Sequence, residues 1–392
     1  MRVEERVPYL SLATPAVLVD MDRLEANISE ISHLAAEAGI RLRAHVKVHM
    51  SAPIARLQIE AGACGIEVGT VGQAEAMAEE EINDIIVAHP GFYGGPKLET
   101  LKRLLNKPGL KIAVVVDMIE QAQGVSQAGQ TVGQRVPVLL KINTNAVLGG
   151  FSRFGVLPGE PALNLAKKLH QLPGIEFVGI YAHELPEDKT AEGVDKMAFE
   201  TASLMTETAR MLREEGIPIA HVSVGASSTA RSTCHYIREG KFPEITEMHP
   251  GSFVIGDIMY MRERGNTREA CAVTVLTIVM STAHPDVAVI DAGYKTFGDD
   301  YIIGAVKEPG FFWNGLPSFG SVQGRPDLRA GLLGAETGYV YYMAPNKKLS
   351  LGERLEIVPN NATLVISMHD QLYGVRNGVV ERVFPITGRG LW

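Results

Sequence analysis

The sequence has few cysteines and no long hydrophobic run, and both absences narrow the possible classes of protein. Its three cysteines, Cys64, Cys234 and Cys271, are far apart and odd in number. No C-x-x-C pair is present, so neither a disulfide framework nor a zinc site of that type is expected. A reducing, cytoplasmic compartment fits this cysteine usage. Because no run reaches about 18 apolar residues, no membrane-spanning helix is predicted.

Positive charge is also scarce. The chain has 37 lysines and arginines against 45 aspartates and glutamates, which gives a formal net charge of −8. Nucleic-acid binding requires a basic surface, so a nucleic-acid partner is not expected. The same negative sum argues against an anionic membrane surface as a partner. The segment from Met1 to Tyr9 carries charges of both signs and is not expected to be a secretory signal.

Short apolar runs alternate with helical patterns through the first 250 residues. This alternation is typical of parallel βαβ units. The predicted strands are Ala16–Met21, Leu42–Val48, Gly65–Thr70, Asp84–Pro90, Lys111–Asp117, Val136–Thr144, Glu176–Glu184 and Ala220–Gly225. Eight such units predict a closed α/β barrel of the (β/α)₈ TIM type. An open doubly wound sheet is the alternative, which the lack of a G-x-G-x-x-G motif after the first strand weakens.

The pattern changes after about Gly251, where strand-like runs are separated by turn residues and long helical patterns are scarce. The runs are Ala270–Thr282, Asp286–Gly293, Glu336–Met343, Glu353–Pro359, Ala362–Met368 and Gly378–Ile386. The sequence therefore predicts two domains. Residues 14–250 would form the barrel, and residues 1–13 with 251–392 would form a mostly β domain.

Charged and imidazole side chains alternate along the second predicted strand. Side chains of a strand point alternately to its two faces, so Arg43, His45, Lys47 and His49 would share one face. In a barrel this face looks inward, toward the carboxyl-terminal mouth where barrel active sites lie. A lysine there is costly unless it is paired or used, and a nucleophilic lysine must be neutral to attack a carbonyl. The pattern favours a functional lysine over the alternative of an internal ion pair.

A small-residue loop follows the last predicted barrel strand in HVSVGASSTA (His221–Ala230). Backbone N–H groups at a helix start, with Ser227, Ser228 and Thr229 near the cap, would make an anion site. A plain helix cap is the alternative. In the MHPGSF segment that follows, Gly251 permits close approach of the backbone to a ligand, although a simple turn would look the same.

The YAHE segment places Tyr181 and His183 on one face at the end of a predicted strand. A lone histidine is more often structural than catalytic. At the carboxyl end of a barrel strand, however, the odds shift toward acid–base catalysis.

These segments, in this order, resemble the D-threonine aldolase / D-serine dehydratase-like family, which has an alanine racemase-type barrel and belongs to the fold type III enzymes that use pyridoxal 5'-phosphate (PLP). The matching segments are TPAVLVDMDRLEANI (Thr14–Ile28), RAHVKVHM (Arg43–Met50), GACGIEVGTVGQAEAM (Gly62–Met77), IDAGYKT (Ile290–Thr296) and HDQLYGV (His369–Val375). They extend over nearly the whole chain. The resemblance implies a PLP-binding barrel in which Lys47 forms the Schiff base with the cofactor.

The resemblance also implies roles for other residues. The cofactor would be held by Lys47, His45, Arg153, Tyr181, His249, Gly225, Ala226, Ser227, Gly251 and Ser252, with the last five at the phosphate. Arg153 would lie near the cofactor's ring oxygen, and His249 stands where alanine racemases carry an arginine that faces the pyridine nitrogen. His183 would be a base for the β-hydroxyl of the substrate. His369 and Asp370 would line the active site of a partner subunit, although both could instead cap a strand end.

One segment departs from the family pattern. Aldolases and dehydratases of this family carry two metal-binding side chains before the HD motif, where PNNAT places Asn361 and Thr363. Amide and hydroxyl groups are poorer ligands for zinc or manganese than imidazole and thiolate. The segment Glu336-Thr337-Gly338 likewise lacks the histidine of the family's E-H-G motif. A divalent metal is therefore doubtful, and no metal ligand is predicted.

The resemblance implies a PLP-dependent lyase acting on a β-hydroxy D-amino acid, as an aldolase of D-threonine or a dehydratase of D-serine or 3-hydroxyaspartate. A metal-free PLP-dependent racemase or epimerase is the alternative, and it needs a second base on the opposite face of the substrate. Two other possibilities are a PLP carrier without turnover and a PLP-free barrel enzyme that binds a phosphorylated substrate at Gly225.

The family's head-to-tail pairing implies a homodimer, and the aromatic segment Pro309–Pro326 would be a lid or a dimer contact.

Overall fold

The computed structural model describes residues 2–149, 154–263, 270–298, 312–313, 316–344 and 348–391. Arg153 and part of the aromatic segment 309–326 lie outside the described residues. The chain divides into two compact units. The first comprises Met1–Asn27 and Ser252–Ile386, and the second comprises Ile28–Gly251 and Thr387–Trp392.

Strands and helices alternate in the second unit, whereas strands dominate the first. The strands are β1 (Arg2–Pro8), β2 (Ala16–Asp20), β3 (Arg41–Leu42), β4 (Ala44–His45), β5 (Ile66–Val68), β6 (Asp84–Val87), β7 (Lys111–Val116), β8 (Val136–Lys141), β9 (Ile175–Tyr181), β10 (His221–Val224), β11 (Glu247–Met248), β12 (Val273–Ser281), β13 (Val287–Ile290), β14 (Phe312–Trp313), β15 (Leu316–Pro317), β16 (Gly320–Val322), β17 (Leu328–Leu333), β18 (Gly338–Tyr342), β19 (Arg354–Pro359), β20 (Gln371–Arg376) and β21 (Val379–Pro385). The helices are α1 (Met21–Ala38), α2 (Ala52–Glu60), α3 (Val71–Glu79), α4 (Pro96–Leu105), α5 (Ile119–Val132), α6 (Asn145–Leu148), α7 (Glu160–His170), α8 (Ala191–Glu214), α9 (Ala230–Arg238), α10 (Ile258–Glu263), α11 (Tyr294–Phe297) and α12 (Ala362–Ser367).

Parallel strands form a nearly closed barrel in the second unit. Their order is β3-β11-β10-β9-β8-β7-β6-β5-β4, and each neighbouring pair is parallel. The two strands at the ends of this order, β3 and β4, are separated only by Arg43, so both edges of the sheet belong to one stretch of chain. The predicted α/β barrel is confirmed.

The apolar pattern of the sequence explains why these segments pack as they do. In β7 the consecutive residues Val114, Val115 and Val116 are all fully buried, as expected for a parallel strand that is covered on both faces. The helix α5 buries Ala122, Val125 and Ala128, which recur every three residues and form one apolar stripe.

The structure moves one predicted strand out of the barrel and adds one that was not predicted. The run that becomes β2 was expected to open the barrel, but it pairs with β12 and β20 in the sheet of the first unit. An apolar run has the same appearance in either sheet, so its pattern could not decide the partner. The eighth position of the barrel is taken by β11, which has only two residues and is too short for a periodic signal.

The predicted strand Leu42–Val48 is also corrected. Regular pairing ends at His45, and the chain continues as a 3₁₀ turn over Val46–Val48. On the side of the neighbouring strand β5, the pairing of this segment covers Ala44 and His45 and reaches no further along the chain. The alternation of faces therefore stops before Lys47. The Nδ1 of His49 accepts the N–H of Ser51 at the entry to α2, and its Nε2 lies 3.1 Å from Gln58 Oε1.

A ten-stranded sheet dominates the first unit. Its main path runs β1-β21-β20-β2-β12-β13-β18-β17, and β19 joins it by pairing with β12 and with β16. Most of these pairs are antiparallel, which confirms a second, mostly β region. Among the described residues, no helix is long and apolar enough to cross a membrane.

Candidate active site

Buried rings meet at the carboxyl ends of the barrel strands. Tyr181 ends β9, and its ring stacks on that of His249 with centroids 4.1 Å apart and planes inclined by 12°. The ring centroid of His183 lies 5.7 Å from that of His249. The structure thus brings His249 together with Tyr181 and His183, which lie in a different segment of the sequence.

Lys47 lies beside this group, on the turn that follows β4. Burial lowers the pKa of His45 well below its ordinary value, and the next largest cause is the positive charge of Lys47. The charges of His183 and Lys141 act on His45 in the same direction. Lys47, His45 and His183 are therefore close enough to interact electrostatically.

His249 is a fully buried imidazole. Its Nδ1 lies 2.7 Å from Ser223 Oγ, whereas its Nε2 has no hydrogen-bond partner in the part of the chain that the structure describes. Burial lowers the pKa of His249 well below its ordinary value. The ring is neutral at pH 7, and one of its nitrogens can still bind a ligand group.

Glu67 is a buried acid that the sequence analysis did not select. Its side chain is fully buried on β5 and accepts the Tyr181 hydroxyl at 3.1 Å. Its other oxygen lies 3.8 Å from His249 Nδ1. Burial raises the pKa of Glu67 well above its ordinary value. A charged residue inside the apolar run GIEVGT was the signal that could have identified it.

The loop after β10 has the features of an anion site. The carbonyl of Ala226 accepts the N–H of Ala230, while the N–H groups of Ser228 and Thr229 find no acceptor among the described residues. Ser227 Oγ accepts the N–H of Gly251 at 3.0 Å. A Cβ at Gly251 would lie 2.8 Å from the carbonyl oxygen of His45, so only glycine fits there. The predicted phosphate residues of the second unit therefore lie together.

A second acid that the sequence analysis passed over, Glu184, lies against the same loop. Its carboxylate accepts the N–H groups of Gly225 at 3.1 Å and Ala226 at 3.2 Å. It also accepts the hydroxyl of Thr229. Burial raises the pKa of Glu184, and these hydrogen bonds oppose that rise.

Three predicted residues belong to the first unit. Ser252 begins a 3₁₀ turn. His369 and Asp370 precede β20, where His369 Nε2 lies 3.2 Å from the carbonyl oxygen of Thr296 and the Asp370 carbonyl accepts the N–H of Ile386. Both residues thus lie at the start of a strand, and their contact with substrate stays a prediction.

The segment Ala362–Met368, predicted as a strand, forms the helix α12, and Asn361 caps it. Asn361 Oδ1 accepts the N–H groups of Thr363 at 2.9 Å and Leu364 at 3.3 Å, which caps α12. Within the described ranges no cluster of three or more histidine, cysteine, aspartate or glutamate residues is arranged to hold a metal ion. Asn361 and Thr363 offer only an amide and a hydroxyl, which are poorer ligands for zinc or manganese than imidazole and thiolate, and the amide oxygen of Asn361 already accepts two N–H groups.

Known proteins match both units. Residues 19–258 match the family described as alanine racemase, N-terminal domain, and residues 272–375 match a putative serine dehydratase domain. A 3-hydroxy-D-aspartate aldolase from Paracoccus denitrificans is 29% identical over 391 residues, covering 97% of this chain and 92% of that protein.

Solved structures match along the whole chain. The D-threonine aldolase from Filomicrobium marinum has a TM-score of 0.84 at 27% identity, covering 100% of this chain and 99% of that one. The D-threo-3-hydroxyaspartate dehydratase from Delftia sp. HT23 has a TM-score of 0.83 at 27% identity, covering 97% of this chain and 99% of that one.

Proposed function

Because this chain belongs to the alanine racemase N-terminal domain family, we propose that it is a PLP-dependent lyase acting on a β-hydroxy D-amino acid. One observation carries the proposal. Lys47 and a loop with available backbone N–H donors lie at the same end of one barrel. The matched aldolases and dehydratase, whose names specify D-threonine and 3-hydroxyaspartate, align with almost the full chain and not only with the barrel.

The residues present fit PLP. The buried and unsatisfied Nε2 of His249 offers a partner to the ring nitrogen, and the open N–H groups of Ser228 and Thr229 suit a phosphate. Lys47 would hold the cofactor's aldehyde carbon through its amine. Arg153, which lies outside the described residues, keeps its proposed place near the ring oxygen. When bound, PLP supplies an electron sink that stabilises negative charge at the substrate Cα.

The chain's own side chains would move the protons. Lys47 is the candidate base for the proton on the substrate Cα, on the face of the substrate that it occupies. His183, a partly buried imidazole stacked near His249, is the candidate base for the β-hydroxyl, because imidazole exchanges protons near neutral pH. No step is assigned to a metal, since Asn361 is committed to the helix cap.

We also propose a homodimer in a reducing, cytoplasmic compartment. The free thiols of Cys64, Cys234 and Cys271 are consistent with that compartment. The dimer follows from the family resemblance, which places His369 and Asp370 at the active site of the partner. Light scattering on the purified protein measures the assembly: a mass near 85 kDa, twice that of the chain, would support the dimer, and a monomer would contradict it.

The test is a visible spectrum of the purified protein before and after borohydride, with mass mapping of any reduced adduct. We expect a yellow band and a stable adduct on Lys47. Lys47→Ala should lose both, while the exposed control Lys97→Ala should keep both. No band, even after PLP is added, would overturn the cofactor assignment and favour the PLP-free barrel enzyme.

Product analysis then separates the two candidate activities. D-threonine, D-serine and 3-hydroxy-D-aspartate are supplied with and without EDTA, and aldehyde, keto acid, glycine and ammonia are measured. Loss of substrate to these products supports the lyase. Inversion at Cα with no carbon–carbon or carbon–oxygen cleavage would support the racemase or epimerase.

A further inference from the structure

Glu184 is a buried carboxylate with no role in the function proposed above. It follows β9 by three residues, and its side chain is fully buried. Both of its oxygens accept hydrogen bonds from the loop after β10: the N–H of Gly225, the N–H of Ala226 and the hydroxyl of Thr229. Hydrogen bonds to a charged acceptor are among the strongest in proteins. A buried acid so fully engaged fixes the conformation of this loop.

The donors of the loop divide into two sets. The N–H groups of Gly225 and Ala226 are used by Glu184, whereas those of Ser228 and Thr229 are open within the described part of the chain. The N-cap residue of α9, Thr229, makes no side-chain hydrogen bond to the first turn, and its hydroxyl donates to Glu184 instead. The loop can therefore serve two anions, an internal carboxylate and an external one.

The backbone at Gly225 explains how one carboxylate reaches two successive N–H groups. Its φ of +118° is a conformation that side chains rarely permit. Consecutive N–H groups that converge in this way form a concave anion site. Thr229 extends the same contact, because its oxygen donates to Glu184 and accepts the N–H of Ala226 at 3.0 Å.

We propose that Glu184 is the positioning residue of the anion loop. Its carboxylate holds Gly225, Ala226 and Thr229 in place, so that the next N–H groups stay available for the phosphate of the cofactor. This inference rests on the proposed function, since it takes the external anion to be that phosphate. Glu184 acts through the loop and not on the substrate.

The test compares ligands that differ only in the phosphate. Dissociation constants of PLP, pyridoxal and inorganic phosphate are measured by titration of the cofactor-free protein. The variants are Glu184→Gln, Thr229→Val and the control Glu187→Gln, which changes an exposed acid in the same segment. In Glu184→Gln, one amide N–H₂ group faces an N–H donor, so the loop loses a hydrogen bond together with the charge.

We expect Glu184→Gln to weaken binding of PLP and inorganic phosphate at least tenfold and to leave pyridoxal binding unchanged. Thr229→Val should weaken binding of the same two ligands by a smaller factor. It provides the measurement if Glu184→Gln fails to fold. Glu187→Gln should match the wild type. Thermal unfolding midpoints report the integrity of each variant.

Two results would overturn the proposal. Tighter PLP binding by Glu184→Gln would show that the carboxylate competes with the phosphate. Equal weakening of PLP and pyridoxal would show general damage to the barrel. If the wild type binds inorganic phosphate but neither PLP nor pyridoxal, the proposed function fails, and the phosphate affinities of the same variants still decide the role of Glu184.

Discussion

The ring of Tyr181 contacts both His249 and Lys141. It stacks on His249 at 4.1 Å between centroids, and Lys141 Nζ lies 4.5 Å from the centroid of the same phenol ring. The hydroxyl of Tyr181 donates to the buried carboxyl of Glu67. Tyr181 thus contacts a candidate cofactor ligand through its ring and a buried acid through its hydroxyl. The two contacts can be tested separately.

Removal of the Tyr181 hydroxyl should destabilise the barrel. Tyr181→Phe leaves the buried Glu67 without its hydrogen-bond donor, which costs about 1–3 kcal/mol. Urea unfolding at pH 7 measures the change. Tyr236→Phe is the control, because that hydroxyl bonds Asp195 near the surface and its loss should stay within about 0.5 kcal/mol. Equal effects of the two variants would show that the Glu67 contact contributes nothing.

Glu67→Gln should be tolerated at pH 7. Burial raises the pKa of Glu67 well above its ordinary value, so the folded protein keeps the proton that the unfolded chain releases. Stability from this group is complete below the unfolded pKa and is lost as pH rises toward the folded pKa. A glutamine has no such proton, so the variant should lose less stability than the wild type as the pH rises above the ordinary pKa of glutamate. Parallel pH profiles would contradict a protonated Glu67.

Acid should destabilise the protein through His49. Burial lowers the pKa of His49 from 6.5 to about 4, against hydrogen bonds with Gln58 and Ser51. As pH falls below 6.5, the unfolded chain binds a proton that the folded chain excludes. The unfolding free energy should therefore fall by about 2 kcal/mol between pH 7 and pH 5 from this group alone. Burial lowers the pKa values of His45 and His249 in the same direction.

Comparison with His49→Gln isolates that contribution. The variant should show a shallower loss of stability between pH 7 and pH 5 than the wild type, measured by urea unfolding at each pH. The exposed His33→Gln serves as the control and should follow the wild-type profile. A His49→Gln profile identical to the wild type would mean that His49 does not titrate abnormally.

The barrel and the family resemblance were predictable because both depend on extended patterns. Long apolar runs such as that of β7 repeat between helical segments, and several motifs occur in order along the chain; the family matches confirm the resemblance. The sequence did not predict which of the two sheets β2 joins. Its pairing with β12 depends on contacts between residues more than 250 positions apart, which local periodicity does not record.

The site was predictable where short motifs mark it and not where single acids complete it. Tyr181 and His183 end or follow a barrel strand, where general rules for barrels identified them, whereas His249 was identified through the family resemblance. Glu67 and Glu184 are single acids in apolar stretches of the sequence. A single acid has no repeated spacing that would mark it as functional. Their roles follow from hydrogen bonds to distant residues, 114 and 41 to 45 positions away.

Arg43 forms buried ion pairs whose contribution to stability can be measured. Its Nε lies 3.0 Å from Glu247, and its Nη1 lies 2.6 Å from Asp84. Arg43→Met would leave the fully buried Glu247 with the partly exposed Arg41 at 3.6 Å and the weak donor of the Cys64 thiol at 3.5 Å. Loss of one partner of a buried pair costs about 3–5 kcal/mol. Urea unfolding should show a loss of this order, and Arg103→Gln, which breaks an exposed pair with Glu75, should show no measurable change.

Substitutions at Asn361 can distinguish a structural role of this residue from a metal-binding role. As the cap of α12 it accepts the N–H groups of Thr363 and Leu364, and this helix buries Ala362, Val365 and Ile366. Asn361→Ala should therefore cost about 1 kcal/mol of unfolding free energy, whereas Asn361→Asp, which keeps the oxygen, should cost less.

Metal analysis distinguishes the two roles. Elemental analysis of the purified wild type should find no stoichiometric divalent metal, and dialysis against EDTA should change neither the unfolding midpoint nor the turnover of a β-hydroxy D-amino acid. The cap explains this result, because an amide oxygen engaged by two N–H groups is a poor ligand for a divalent ion. One tightly held metal per chain that disappears in Asn361→Ala would instead make Asn361 a ligand and return a metal to the mechanism.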